Sequence, residues 1–348
     1  MNPGQIAVFS LGILGLSCAC NASPVEASDV KGSLGRVILQ GFEGVDGLAA
    51  TARVRAIQLS QDGRLLAIAR GRHVHILDGN EYRTIAKLTP YPEQNVQAIA
   101  FSPDGKQLVT GADDALDLVS WKTDDWTMHW RVTEDVRPNP VESIQFSPNG
   151  EAVAAAHFRT VFLFDAQDGK EIAKLDDWPQ FHGRGAYRQV FFTSDRELWA
   201  IGSRSQILGW DLHTKKVRVS AASADLHFMK AEISKMRQET IVAGQTEIAV
   251  LEMADWSPLA RMRIPDSVNA WDMALHAERG LVAHASTRLR IMDQERLTVM
   301  YDERATRGAV TVSAMSFDGD GGRIVFGDSS GWVRVVELPD LVEPAPKE

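Results

Sequence analysis

The stretch Phe101-Ser102-Pro103-Asp104-Gly105 decides the fold, because it returns as Phe146-Ser147-Pro148-Asn149-Gly150. Each copy lies between two short apolar runs. Proline fixes φ at an early turn position, Asp or Asn tolerates a tight bend, and glycine adopts the positive φ that completes it. A turn of this composition between two apolar runs predicts a β-hairpin.

Weaker copies of this turn recur along the chain, starting at Leu59, Phe192, Ile233, Leu275 and Phe317. Together with the two clear copies, successive starts are 42, 45, 46, 41, 42 and 42 residues apart. A period of about 40–45 residues is typical of β-propeller blades, which contain four strands each. The spacing therefore predicts seven blades.

A second marker keeps step with the first. An apolar residue followed in most copies by an acid comes 17 to 20 residues after each turn start: Leu77-Asp78, Trp121-Lys122, Phe164-Asp165, Trp210-Asp211, Leu251-Glu252, Met292-Asp293 and Val336-Glu337. These two markers resemble the WD40 repeat family over residues 36–338, and Trp210-Asp211 is the literal Trp-Asp pair at this position. The family's Gly-His dipeptide is absent, so the resemblance does not carry over its histidine-centred hydrogen-bond network.

The predicted fold class is all-β, a seven-bladed β-propeller whose ring is closed by an N-terminal strand that completes the last blade. The last repeat has three strand-like runs, at 312–317, 323–327 and 332–338, and lacks a fourth. A lone strand from Val37 to Leu39 precedes the first repeat and supplies the missing one. Closing the ring removes sheet edges that would otherwise invite aggregation.

Composition limits the function classes. The chain has 348 residues, 44% of them hydrophobic, and a formal net charge of −9. A repeat that spans nearly the whole length predicts one domain over residues 36–338, with a linker over 28–35 and a disordered tail over 339–348. The negative charge argues against nucleic acid as a partner, because nucleic-acid binding needs a basic surface.

The N-terminal segment predicts export. The apolar run from Ile6 to Cys20 is too short to span a bilayer, and it has the length of a signal-peptide core, so residues 1–27 are predicted to be a signal peptide. Cys18 and Cys20 each follow a small residue, which resembles a bacterial lipoprotein signal. Lipidation at one of these cysteines and simple cleavage are both open. The predicted location is the periplasm or envelope, with the lipid as the chain's contact with a membrane.

One face of the ring is the predicted binding surface. The four strands of each blade are named a to d. The resemblance to the WD40 family implies that the b–c turns and the d–a connections lie around one mouth of the central channel. The turns there carry charged residues, and a loop between blades 3 and 4 carries aromatic and basic ones. These candidates are Arg70, Arg72, Asp113, Asp114, His157, Arg159, Arg204 and Arg288 in the turns, and Trp178, Phe181, His182 and Arg184 in the loop. Trp and Arg favour interfaces; the alternatives are solvated turn residues and a loop that plugs the blade tops.

Three patterns suggest chemistry but have simpler explanations. Gly327-Asp328-Ser329-Ser330-Gly331 matches Gly-x-Ser-x-Gly, yet a strand follows it where a nucleophile elbow needs a helix. Asp318-Gly319-Asp320 resembles the start of a calcium loop but lies where an a–b turn is needed. His73 and His75 lie on one strand face with no third ligand identifiable. We therefore predict no catalytic residue, no metal and no cofactor.

The predicted function is a non-catalytic platform for a protein partner of unknown identity, acting as a monomer; this is what the family resemblance implies. The alternative is a lactonase-like propeller hydrolase, or a small-ligand binder, with its site at the channel mouth. The strand a starts offer Arg55, Glu142, Arg188 and His227 for such a site. Convergence of several polar side chains from different blades would favour this alternative.

Overall fold

The structure is a computed structural model that describes residues 34–40, 53–134, 136, 138–176, 186–202, 206–222, 228–234, 236–244, 247–264, 272–306 and 310–338. The predicted signal peptide, most of the predicted linker and the predicted tail lie outside these residues. In the described part of the chain, no helix has the length and apolar character needed to cross a membrane.

The described residues contain 28 β-strands. In chain order they are β1 (Arg36–Leu39), β2 (Val54–Leu59), β3 (Leu65–Arg70), β4 (His73–Asp78), β5 (Thr84–Leu88), β6 (Val96–Phe101), β7 (Gln107–Ala112), β8 (Leu116–Lys122), β9 (Met128–Glu134), β10 (Val141–Phe146), β11 (Ala152–His157), β12 (Thr160–Asp165), β13 (Glu171–Leu175), β14 (Tyr187–Ser194), β15 (Glu197–Gly202), β16 (Gln206–Asp211), β17 (Lys216–Ala222), β18 (Phe228–Ser234), β19 (Glu239–Gly244), β20 (Glu247–Glu252), β21 (Pro258–Arg263), β22 (Asp272–His276), β23 (Leu281–Ala285), β24 (Arg288–Asp293), β25 (Val299–Arg304), β26 (Val312–Phe317), β27 (Arg323–Asp328) and β28 (Val333–Glu337).

These strands form seven four-stranded antiparallel sheets, as predicted. Blades 1 to 6 are β2–β5, β6–β9, β10–β13, β14–β17, β18–β21 and β22–β25. Blade 7 has the order β1-β28-β27-β26, so the N-terminal strand closes the ring. Arg36 pairs with Val335 and Val37 with Arg334. Closure also brings blade 7 against blade 1, where the Ser313 hydroxyl donates to the Val54 carbonyl at 2.6 Å.

The recurrent turn owes its shape to one set of hydrogen bonds. In the copy at 101–105, the Ser102 hydroxyl donates to Asp104 Oδ1 at 2.7 Å and accepts from the Gln107 amide at 2.9 Å. The Gly105 amide donates to the Ser102 carbonyl, and Gly105 has φ +70°. The copies at residues 60–65 and 147–152 repeat this pattern. The serine, the acid or amide, and the glycine therefore each contribute to the shape of this turn.

The second marker has an equally local cause. Asp78, at the end of β4, accepts from the backbone amides of Asn80 and Glu81 at 2.9 and 2.8 Å. Asp165, Asp211 and Asp293 accept from turn amides in the same way in blades 3, 4 and 6. The carboxylate thus caps the c–d turn. These hydrogen bonds to the charged form lower the pKa of Asp78.

The hydrophobic core consists of clusters that lie between neighbouring blades. At Gly209 the absence of a side chain allows close packing. A Cβ on Gly209 would lie 2.6 Å from the Trp199 ring on the neighbouring strand of the same blade. Trp199 in turn packs against Trp256 of blade 5, with ring centroids 4.9 Å apart. The missing side chain at residue 209 therefore makes room for the aromatic contact that joins blades 4 and 5.

Candidate functional site

The blades surround a central channel with a volume of about 900 Å³. It is lined by the inner strands of all seven blades. At one end it reaches Asp113 and Pro140, beside the b–c turns, and at the other it reaches Asp318 and Gly319, in an a–b turn. We call the first end the upper mouth. A second cavity of about 450 Å³ adjoins the channel near the a–b turns of blades 1 to 3.

A β-bulge at the start of the inner strand aims one side chain of each of the first four blades at the upper mouth. In β2 the register skips from Val54 to Ala56, which leaves Arg55 as the extra residue. The same skip leaves Gln97, Glu142 and Arg188 unpaired in β6, β10 and β14. An unpaired bulge residue turns away from the pleat, and bulges of this kind often re-aim side chains at functional sites.

These four bulge residues form a continuous polar network, which we call the mouth network. Arg55 donates to Gln97 Oε1 and lies 3.5 Å from Asp113 Oδ2. Gln97 hydrogen-bonds the Glu142 carboxylate. Arg188 Nη1 donates to Glu142 Oε1 at 2.8 Å. Burial raises the pKa of Glu142, although Arg188, Gln97 and Arg55 act in the opposite direction.

The structure thus brings together three of the four residues of the predicted alternative channel site. His227, the fourth, lies outside the described residues. Sequence reasoning missed Lys230, Glu232 and Asp272, which also line the channel. Lys230 Nζ lies 2.9 Å from Asp272 Oδ1, and burial raises the pKa of Glu232 to about 7. An alignment of the inner strands, with attention to the positions one and three residues after the bulge, would have revealed this cluster.

Two of the predicted turn arginines hold backbone carbonyls. Arg70 Nη1 donates to the carbonyls of Gln40 and Gly331, the latter at 3.0 Å, and so ties blade 1 to the closing blade. Arg72 Nη1 donates to the Pro92 carbonyl at 2.6 Å. These guanidinium groups satisfy carbonyls of irregular backbone, which is a structural role.

The other described turn candidates differ in how far their side chains are already engaged within the protein. Arg288 binds Asp302 through Nε at 2.6 Å, and Arg159 lies over the Phe158 ring. His157 is buried and lies 3.1 Å from the Asn139 carbonyl. Asp114 is exposed. Trp178, Phe181, His182, Arg184 and Arg204 lie outside the described residues, so their role in binding stays a prediction.

The patterns that resemble catalytic or metal sites are engaged in turns. The Ser329 hydroxyl accepts from the Thr311 amide at 3.3 Å in a b–c turn, with a strand following. Asp318 Oδ1 accepts from the Arg323 amide, and Asp318 Oδ2 binds Arg323 Nε at 2.8 Å. Across the described ranges, no group of three or more His, Cys, Asp or Glu side chains is placed to hold a metal ion.

Two histidines are buried in the neutral form. His75 lies 3.5 Å from Arg70 Nη2, and burial followed by that charge lowers the pKa of His75 to about 4. His284 is fully buried, and neither of its ring nitrogens has a hydrogen-bond partner among the described residues. Burial, with a smaller effect from Arg290, lowers the pKa of His284 to about 4. Both histidines therefore have a lower pKa in the folded chain than in the unfolded chain.

This difference predicts acid destabilisation. The unfolded chain binds these protons near pH 6.5 and the folded chain only near pH 4, so the free energy of unfolding falls as the pH drops through that window. Each histidine contributes up to about 3 kcal/mol, because one pKa unit corresponds to about 1.4 kcal/mol. His284→Leu is expected to reduce the slope of stability against pH in urea titrations. The exposed His213→Gln is the control, and an unchanged slope in His284→Leu would contradict the assignment.

Known proteins with similar sequences or structures are WD40 β-propellers. Residues 83–116 match the family model described as WD domain, G-beta repeat, from just before β5 to the first residue of β8. The β-propeller domain of Myceliophteria thermophila Cps50 (Swd1), a crystal structure, matches with a TM-score of 0.71 and 17% identity, covering 83% of this chain and 98% of that one. The chain has the fold of a WD40 β-propeller. The resemblance found in the sequence is therefore confirmed.

One curated protein with a similar sequence also contains WD repeats. Human WD repeat-containing protein 90 is 26% identical over 187 residues, which cover 50% of this chain and 10% of that protein's length. WD40 propellers generally serve as platforms for protein–protein interaction and are usually not enzymes.

Proposed function

We propose that this WD40 propeller is an exported, non-catalytic platform that binds a protein partner at its upper mouth. The mouth network carries the proposal, because it presents an ordered row of positive, neutral, negative and positive side chains from blade 1 to blade 4. Its members project from strands of the ring and not from loops, so little ordering is needed when a partner binds. Such a row favours a partner segment that carries charges of both signs in complementary order.

The exposure of the side chains in the mouth network, and of the neighbouring Asp113, indicates which residues a partner can reach. The Arg188 side chain is 41% exposed, whereas Arg55, Asp113 and Glu142 are 23, 18 and 16% exposed. Asp114 adds an exposed carboxylate beside Asp113. The partner therefore meets Arg188 first, while the more buried charges hold Arg188 and the rim in place.

Reversing the charge of Arg188 tests the proposal. In Arg188→Glu two carboxylates face each other at residues 142 and 188, so we expect capture of the partner by crosslinking in the envelope fraction to fall at least about tenfold, a cost of about 1.4 kcal/mol. Arg64→Glu makes the same change in an a–b turn, where the Arg64 side chain is 80% exposed on the opposite face. Equal capture by wild type and Arg188→Glu would exclude this mouth as the interface.

Export is the second part of the proposal, and it is supported by the sequence of residues 1–27. We expect the chain to fractionate with the envelope, and radiolabelled palmitate to report whether Cys18 or Cys20 carries a lipid. Cys18→Ser and Cys20→Ser, made separately, distinguish the two sites from simple cleavage. Recovery of the uncleaved chain in the cytosol would contradict export.

A further inference from the structure

One level of the inner strands, which we call the waist, has polar side chains in blades 1, 3, 5 and 7 and non-polar side chains in blades 2, 4 and 6. The inner-strand residues that pair with Ala67, Val109, Ala154, Trp199, Ile241, Ala283 and Val325 occupy equivalent positions in blades 1 to 7. They are Gln58, Ala100, Gln145, Phe191, Glu232, Ala274 and Ser316. Blades 1, 3, 5 and 7 thus supply polar groups that line the channel, and Ala274 of blade 6 also lines it. Ala100 and Phe191 are instead buried in the packing between blades.

The two glutamines at the waist have fixed orientations. The Phe101 amide donates to Gln58 Oε1 at 2.8 Å, and the Phe192 amide donates to Gln145 Oε1 at 2.6 Å. Each bond joins one blade to the next and assigns the oxygen end of the side-chain amide. Both glutamines line the channel. Their Nε2 groups have no hydrogen-bond partner among the described residues, so two NH₂ donors remain available to a ligand.

Blade 5 adds a donor and an acceptor. Lys230 Nζ donates one N–H to Asp272 Oδ1, and Asp272 Oδ2 accepts a hydrogen bond from the Met315 amide at 2.7 Å. The remaining N–H groups of Lys230 are available, while the charge of Lys230 is balanced by Asp272. Glu232, two residues further along β18, has no hydrogen-bond partner in the described part of the chain and lines the same cavity. The waist, together with Lys230 two residues before Glu232 on β18, therefore offers several donors, one carboxyl group and little net charge.

From this arrangement we infer that the channel waist binds a small neutral polyhydroxylated ligand, a monosaccharide or a similar polyol, through Gln58, Gln145, Lys230 and Glu232. Each hydroxyl both donates and accepts, so it satisfies the amide nitrogens and the carboxyl together. Lys230 is already paired with Asp272, and Glu232 lies two residues from Lys230, so the site presents neither a cluster of positive charge for an anion nor one of negative charge for a cation. The channel volume of about 900 Å³ lies within the range of small-molecule sites, about 300–1,000 Å³.

Ligand-observed NMR on the full chain tests this inference with four probes: D-glucose, N-acetylglucosamine, succinate and putrescine. We expect at least one of the two sugars to bind and neither charged probe to compete with it. Gln145→Glu replaces the free NH₂ by oxygen and keeps the acceptor for Phe192, and we expect it to weaken sugar binding about tenfold. Glu232→Gln replaces the carboxyl by an amide of the same shape and is expected to weaken binding as well.

The matched control is Gln61→Glu, which makes the same chemical change at an exposed a–b turn position outside the waist. It is expected to bind sugar as the wild type does. Binding of succinate or putrescine alone, binding of no probe, or sugar binding unchanged in Gln145→Glu would each overturn the inference. The Arg188→Glu experiment is independent, so partner capture and waist binding succeed or fail separately.

Discussion

Replacing Asp328 by alanine is expected to lower the free energy of unfolding by about 3–5 kcal/mol, because it leaves a buried guanidinium without its partner. Asp328 Oδ2 binds Arg334 Nη1 at 2.8 Å, and the two side chains are 2 and 7% exposed. The other oxygen of Asp328 accepts from the amides of Ser330 and Trp332. The carboxylate therefore neutralises a charge and shapes the b–c turn of the closing blade.

Two further variants separate these contributions in urea unfolding. Asp328→Asn keeps an acceptor for the turn amides but loses the charge, so an intermediate loss is expected. Asp328→Ala combined with Arg334→Met removes both charges and is expected to recover part of the loss, because no unpaired ion stays buried. A loss below about 1 kcal/mol in Asp328→Ala would show that Arg334 is solvated or paired elsewhere.

Gly35→Ala is expected to cost about 2–5 kcal/mol, because it obstructs the docking of the closing strand. Gly35 has φ +85°, and a Cβ there would lie 2.6 Å from the Val335 carbonyl oxygen and 2.7 Å from Val336 Cγ2. Strain at positive φ costs roughly 1–3 kcal/mol and overpacking a similar amount. When β1 is displaced, β28 becomes an open edge, so aggregation is expected to accompany the fall in melting temperature.

Gly105→Ala is the matched control for Gly35→Ala. Gly105 also has a positive φ, +70°, but nothing lies within 4 Å of the added Cβ. This variant therefore carries the backbone strain without the collision, and its cost is expected to be about 1 kcal/mol. Equal losses in the two variants would show that the contact of Gly35 with β28 does not limit ring closure.

The number and order of the blades were predictable because they depend on local chemistry repeated at a fixed spacing. Ser102, Asp104 and Gly105 each make a hydrogen bond or adopt a φ that the a–b hairpin requires. The acid at the end of strand c, such as Asp78, caps the following turn within three residues. The missing fourth strand of the last repeat likewise predicted that β1 closes the ring.

The partners of the long polar side chains that reach from one blade to another were decided only by the tertiary structure. Gln58 and Phe101 are 43 residues apart, and Arg70 reaches Gly331 across 261 residues, so neither bond has a local signal. The skip in register that aims Arg55 and Arg188 at the mouth depends on pairing with the next strand. The repeat thus determined by itself that the chain forms a closed ring of seven blades. Whether a given arginine or carboxylate faces the channel or a backbone carbonyl was set by packing between blades, because those contacts join residues that lie in different blades and are far apart in the sequence.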